Sequence, residues 1–139
     1  MSHQEQPTFD ADGYPTDETL EIIKKWPMKS GLHANALLDF VAAAWHWPDF
    51  GVSHELKPAE AEVVHAEPGD RYLRLATGGW SGNESLIAAL DHSMGAFGTW
   101  RLSSAGGLHI YRYWPENKRR WPTQDQGWVR PQPRRGDRW

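Results

Sequence analysis

The chain contains no cysteine, which excludes disulfide frameworks, thiolate zinc sites and cysteine nucleophiles. Long apolar runs are missing as well. None approaches the roughly 18 residues that a membrane-spanning helix needs, and the longest, Leu37 to Trp47, is broken by Asp39 and His46. The opening Met1-Ser2-His3-Gln4-Glu5 is polar and lacks the apolar stretch of a secretory leader. The expectation is a cytoplasmic protein with no membrane contact. No self-similarity shows at the roughly 20–50-residue periods of repeat proteins. The seven histidines form no H-x-x-x-H or H-E-x-x-H pattern, and no carboxylate cluster surrounds any of them, so neither a metal nor a cofactor is expected. Gly79-Trp80-Ser81-Gly82 superficially resembles a nucleophile elbow, but asparagine stands at position 83 where that motif needs glycine. No catalytic residue is assigned.

What is abundant is tryptophan, with nine in 139 residues. Such large rings need burial or stacking to account for them. The length suits one domain, and 39% hydrophobic with 24% charged residues suits a globular one. Charge is split along the chain. Residues 1–114 hold 8 Lys/Arg and 15 Asp/Glu, a balance of −7, whereas residues 115–139 hold 7 and 3, a balance of +4. This tail also carries Pro115, Pro122, Pro131 and Pro133, which argue against helix or central strand. An extended basic arm is expected, with two readings. It packs back on the acidic body, or it grips a partner or nucleic acid through Arg119, Arg120, Trp121, Trp128, Arg130, Arg134, Arg135 and Trp139.

Residues 1–13 show no apolar pattern and are expected to form a flexible N-terminus, with residues 14–114 as a single domain. Pro15-Thr16-Asp17-Glu18 reads as a helix start capped by Thr16, with Leu20, Ile23 and Trp26 as its stripe and Trp26-Pro27 as its stop. A second helix is expected from Ser30 to about Trp45, its apolar face being Leu37, Phe40, Val41, Ala44 and Trp45. Glu62 to His65 is a candidate short strand. Arg71 to Thr77 alternates as a half-buried strand does, Leu73 and Leu75 to one side, Tyr72 and Arg74 to the other. Ser81 and Glu84 have capping-box spacing ahead of a helix from Gly82 to about His92. Phe97–Ser103 and Gly107–Trp114 then form a hairpin. A Ser104-Ala105-Gly106 loop sets Leu102 opposite Leu108 and Trp100 opposite Ile110, giving an apolar core face and an open face of Thr99, Arg101, Ser103, His109, Tyr111 and Tyr113. The expected fold is α+β in the order ααββαββ: two N-terminal helices, a small, largely antiparallel sheet with one further helix, helices on one face of the sheet, and the basic tail.

Two regions carry candidate ligand chemistry. Gly78 and Gly79 permit close backbone approach ahead of a helix N-terminus, a place for phosphate or carboxylate, with Trp80, Ser81 and Asn83 around it. The plainer alternative is a tight strand-to-helix turn. The second region is the hairpin's polar face, where Tyr72 and Arg74 are expected to join Arg101, His109 and Tyr111 as a surface for a nucleotide or other planar anion. The plainer alternative there is an ordinary solvated face.

Asp12-Gly13-Tyr14-Pro15-Thr16, Leu38-Asp39-Phe40-Val41 and above all Thr77-Gly78-Gly79-Trp80-Ser81-Gly82-Asn83-Glu84, followed by Trp100, Gly106-Gly107 and His109, resemble a group of small uncharacterised proteins encoded by bacteriophages and prophages. The resemblance spans roughly residues 9–113 and leaves the tail outside it. It implies a viral origin and a place in the host cell cytoplasm. The expected function is that of a non-enzymatic accessory protein that binds a host component through the arm. Alternatives are binding of a nucleotide or other anionic small molecule, and binding of single-stranded nucleic acid through the tail.

Overall fold

The computed structural model describes residues 6–28 and 31–115; the arm residues from Arg119 to Trp139 named above lie outside them. Helix α1 is Asp17–Lys24. Thr16 caps it, its side chain accepting the Thr19 N–H, while Asp17 and Glu18 sit in the first turn and Lys24 in the last, as the helix dipole favours. Within the segment expected to be flexible, Thr8 is tied to this helix and Asp10 closes a turn. The Thr8 N–H donates to Thr19 Oγ1 at 2.8 Å, and Asp10 Oδ1 accepts from the N–H groups of Asp12 and Tyr14 at 2.9 and 3.0 Å. Helix α2 is Gly31–Ala43. It ends ahead of Trp47, whose φ of +60° turns the chain into the short α3, Pro48–Gly51.

Four strands follow: β1 Val52–Ser53, β2 Tyr72–Ala76, β3 Trp100–Ser104 and β4 Leu108–Arg112. All pair antiparallel in the order β1-β2-β4-β3. With α5, Ser81–Asp91, between β2 and β3, the main elements run ααββαββ, as expected of this α+β chain. The first strand, however, lies at Val52–Ser53. Glu62–His65 instead ends α4, Pro58–Val63, because Pro58 opens a helix and the Glu60 carboxylate accepts the Lys57 N–H at 2.9 Å. A further helix, α6 at Met94–Thr99, replaces the first half of the expected Phe97–Ser103 strand. The Ser81/Glu84 capping box does not form either. Trp80 is the N-cap residue and offers no side-chain bond.

The hairpin pairs two residues away from the expected register. Leu102 faces Ile110, Ser103 faces His109 and Ser104 faces Leu108, so the loop is Ala105-Gly106-Gly107. Close packing explains the choice. Gly107 has φ +86°, and a Cβ on it would lie 2.4 Å from Thr77 Oγ1, while the Thr77 N–H donates to the Gly107 carbonyl at 2.9 Å. A two-residue shift keeps every side chain on its face, but an irregularity between Trp100 and Leu102 moves Trp100 to the Tyr111 side.

The hairpin face that meets the main core is reversed from expectation, while Leu73 and Leu75 keep the core side of β2. Leu73 and Leu75 lie opposite Tyr111 and His109, and this side packs under α1, α2 and α5 as the main core of Ile23, Leu37, Leu38, Val41, Leu86, Leu90, Tyr111 and Tyr113. Tyrosine serves on this inner face because each hydroxyl reaches a helix carboxylate: Tyr111 donates to Asp91 at 3.3 Å and Tyr113 to Asp39 at 2.8 Å. The opposite face is covered too. Tyr72, Ile110 and Val64 form a smaller cluster with Leu56, Ala66, Leu102 and Leu108. Helical and loop layers thus lie on both sides of the sheet, not on one.

Candidate functional site

Thr77–Glu84, the most distinctive run in the sequence, is a strand-to-helix turn whose geometry accounts for its residues one by one. Gly78 and Gly79 have φ of +64° and +76°, a region side chains avoid. The Gly82 position holds no side chain because a Cβ there would meet the Trp80 ring at 2.2 Å. Asn83 is fully buried. Its Oδ1 accepts the His46 N–H at 2.9 Å, and its Nδ2 donates to the carbonyls of His46 at 3.1 Å and Thr77 at 3.3 Å. A second tie runs parallel to it: Trp45 Nε1–H donates to the Ala76 carbonyl at 3.0 Å, with Gly51 tight against the indole. Asn83 is thus a structural clamp between two turns.

The clamp assembles a row of rings. Trp80 stacks on His46 at 4.1 Å between centroids, with Tyr14 at 4.7 Å from Trp80 and Trp47 at 4.3 Å from His46. Ser81 Oγ donates to the Tyr14 hydroxyl at 3.3 Å and fixes that end. The other end stays open, with Trp47 50% and Phe50, one helical turn on, 87% exposed. Sequence reasoning singled out Trp80 alone. Its partners come from two other turns, one carrying Tyr14 and one carrying His46 and Trp47, a proximity that no local pattern encodes.

The expected anion surface is not assembled. Arg74 lies on the Ile110 side of the sheet, where its Nε and Nη2 donate to the two Glu60 carboxylate oxygens, each at 2.8 Å. This bidentate pairing holds the Glu60 carboxyl below its ordinary pKa, against the burial that opposes it. Tyr111 is sealed in the core. Arg101 sits in the β3 irregularity and donates to the Trp100 carbonyl at 2.7 Å. Tyr72 is buried, its hydroxyl on Asp70. Arg74, Arg101, His109 and Tyr111 therefore do not converge: Arg74 lies on the face opposite His109 and Tyr111, and Arg101 turns back on the main chain of its own segment.

Of the nine predicted ligand residues, Gly79 and His109 do line a common cleft of about 490 Å³, together with Thr77, Glu84, Asp91 and the Ser104–Gly107 turn. His109 Nδ1 is 2.8 Å from Ser103 Oγ, which also accepts Trp100 Nε1–H at 2.8 Å. Burial holds the imidazole below its ordinary pKa although Asp91 and Glu84 pull the other way. Among the described residues no lysine or arginine lines this cleft, so its field favours cations and not the anion expected there. Among the same residues no group of three His, Asp or Glu could hold a metal ion, and no helix is long and apolar enough to cross a membrane. Comparison with known proteins finds no matching family model, no matching curated protein and no matching solved structure.

Proposed function

We propose that this chain is a phage-encoded accessory protein that acts in the host cytoplasm by holding a host component, without catalysing a reaction. The aromatic row from Tyr14 to Trp47, with the exposed Phe50 three residues further along the chain, is the part of the contact surface that lies within residues 6–115. Support for the viral origin is the resemblance carried by Thr77–Glu84. Support for binding is the open end of the row. Single exposed apolar residues are ordinary on a protein surface, but a contiguous aromatic set held rigid by buried hydrogen bonds is the usual anatomy of an interaction hot spot. Here the hydrogen bonds are those of Asn83.

The surroundings indicate the partner's chemistry. Asp10 and Asp12 belong to the turn that carries Tyr14, and Asp49 lies between Trp47 and Phe50; all three are exposed. Aromatic faces ringed by carboxylates suit lysine and arginine side chains, whose apolar stems cover the rings while their charged ends meet the acids. In this proposal the arm adds Arg119, Arg120, Trp121, Trp128, Arg130, Arg134, Arg135 and Trp139 as a second contact.

The test is capture from host lysate by the immobilised full chain, by a Trp47→Ala/Phe50→Ala variant and by a chain lacking residues 116–139. The double variant is expected to lose roughly 30-fold or more in affinity, since a hot-spot residue contributes about 2 kcal/mol or more. Undiminished capture by both altered chains rejects the proposal. Nuclease treatment of the lysate separates a protein partner from a nucleic acid held by the arm, whose binding falls steeply with salt.

A further inference from the structure

The cleft between α5 and the β3–β4 hairpin has an internal order that the partner surface does not use. Its floor is one face of α5, where Glu84, Ile87, Ala88 and Asp91 recur at the three- and four-residue steps that align side chains along a helix. The facing wall is the Ser104–Gly107 turn, with Thr77, Gly79 and His109 completing the lining. The floor therefore carries a carboxylate at each end and an apolar strip between them. Seven residues at about 1.5 Å each set those carboxylates roughly 10 Å apart along the axis. Asp91 is held in place because its Oδ1 accepts the Tyr111 hydroxyl at 3.3 Å. His109 is tethered through Nδ1 to Ser103.

From this arrangement we infer that the cleft binds a linear aliphatic polyamine, one ammonium group at Glu84, another at Asp91, and the methylene chain over Ile87 and Ala88. Alternatives of other shape fit less of the surface. A metal ion spans only one carboxylate. A single ammonium or guanidinium leaves the second carboxylate unmatched. An anion meets two like charges and no lysine or arginine among the described residues. A flexible chain with charged ends and an apolar middle matches the sequence of groups along the floor.

The test is titration of the full chain, isotopically labelled, with spermidine, followed by amide and histidine-ring resonances. Expected are saturable shifts concentrated at Ala88, Gly106, Gly107 and the His109 ring, with weaker binding of butylamine, whose single ammonium group can meet only one of the two carboxylates. Glu84 is exposed, so Glu84→Gln and Glu84→Lys leave the core intact. The first is expected to weaken spermidine about fivefold, the size of one exposed ion pair, and the second to remove saturation. The body is acidic overall, so diffuse attraction is the competing outcome. Shifts scattered over Asp12, Glu18 and Glu55, an unchanged titration in Glu84→Lys, equal binding of butylamine, or shifts at the cleft with inorganic phosphate each overturn the inference. The Trp47→Ala/Phe50→Ala variant is expected to titrate as the parent does, which separates this site from the partner surface.

Discussion

Asn83 holds His46 by both of its main-chain groups, accepting from the N–H at 2.9 Å and donating to the carbonyl at 3.1 Å. The same amide also reaches the Thr77 carbonyl at 3.3 Å. One buried side chain on α5 thereby fixes the turn after α2 and the turn after β2. The rings carried by those turns, His46 and Trp80, stack as a consequence. The aromatic row is then a by-product of backbone satisfaction, and its rigidity rests on a residue that never touches solvent.

Asn83→Ala is expected to be among the most destabilising substitutions in the chain. It strands the N–H and the carbonyl of His46, while the Thr77 carbonyl keeps the Trp80 N–H at 3.1 Å, and each buried group left without a partner costs about 1–3 kcal/mol. Partial access of water reduces the sum, so a loss of about 2–4 kcal/mol is expected, read as a lower urea midpoint at unchanged slope. Asn83→Asp is not a rescue. It keeps an acceptor for the His46 N–H but turns a carboxylate toward two carbonyls.

Gly82 and Gly106 make a contrasting pair, one tightly packed and one open. In an ordinary helix, glycine to alanine gains about 1 kcal/mol. At Gly82 the new Cβ lies 2.2 Å from the Trp80 ring, and the ring has Tyr14 and His46 against it. Gly82→Ala is expected to lower stability by about 1–3 kcal/mol through overpacking and to shift tryptophan emission as Trp80 moves outward. A Cβ at Gly106 meets nothing within 4 Å, so Gly106→Ala is expected to leave the melting temperature within a degree or two, a surface change of about 0.5 kcal/mol at most.

How much was readable from sequence follows from the range of each interaction. Thr16 as a cap, the stripe from Leu37 to Trp45 and the alternation of Leu73 and Leu75 are local, and each appears where periodicity places it. The faces of Leu102–Ser104 and of β4 were recoverable too, because a two-residue slip conserves them, but the irregularity that turns Trp100 to the Tyr111 side was not. Which of two faces the helices cover depended on Leu73 and Leu75 lying opposite His109 and Tyr111, a pairing between distant segments. Alternation alone assigned Leu108 and Ile110 to the core and the tyrosines to solvent. The hydroxyl contacts to Asp39 and Asp91 that let tyrosine face inward are long-range and left no local trace. The candidate site failed for the same reason: Arg74 had a partner, Glu60, on a helix that the pattern around Glu62–His65 disguised as strand.

Arg74→Met tests that pairing. Both side chains are less than one-fifth exposed, at 19% and 13%, which places the pair between surface and buried ion pairs. A loss of about 1–3 kcal/mol is expected near neutral pH. The Glu60 carboxyl is depressed below 4.5 chiefly by its hydrogen bond to Arg74. Its contribution is therefore fully present above pH 4.5 and lost as pH falls through the folded-state value. In Arg74→Met that part of the acid-side decline in stability is expected to flatten. A decline as steep as the parent's means that Arg74 does not set the Glu60 ionisation.

His109 supplies a pH dependence in a different window. Burial lowers its pKa from 6.5, outweighing Asp91 and Glu84, which raise it. Above pH 6.5 the imidazole is neutral in folded and unfolded chains alike, and the group has no net effect. As pH falls below 6.5 the unfolded chain takes up the proton first, so stability declines until the folded-state pKa is reached and then levels off. Titrating the His109 ring resonances measures the folded value directly, and Glu84→Gln is expected to lower it further by removing one of the two opposing carboxylates. A ring titrating above 6.5 shows that the carboxylates and not burial govern this wall of the cleft, whereas one moving upward in Glu84→Gln shows that Glu84 does not act on the imidazole.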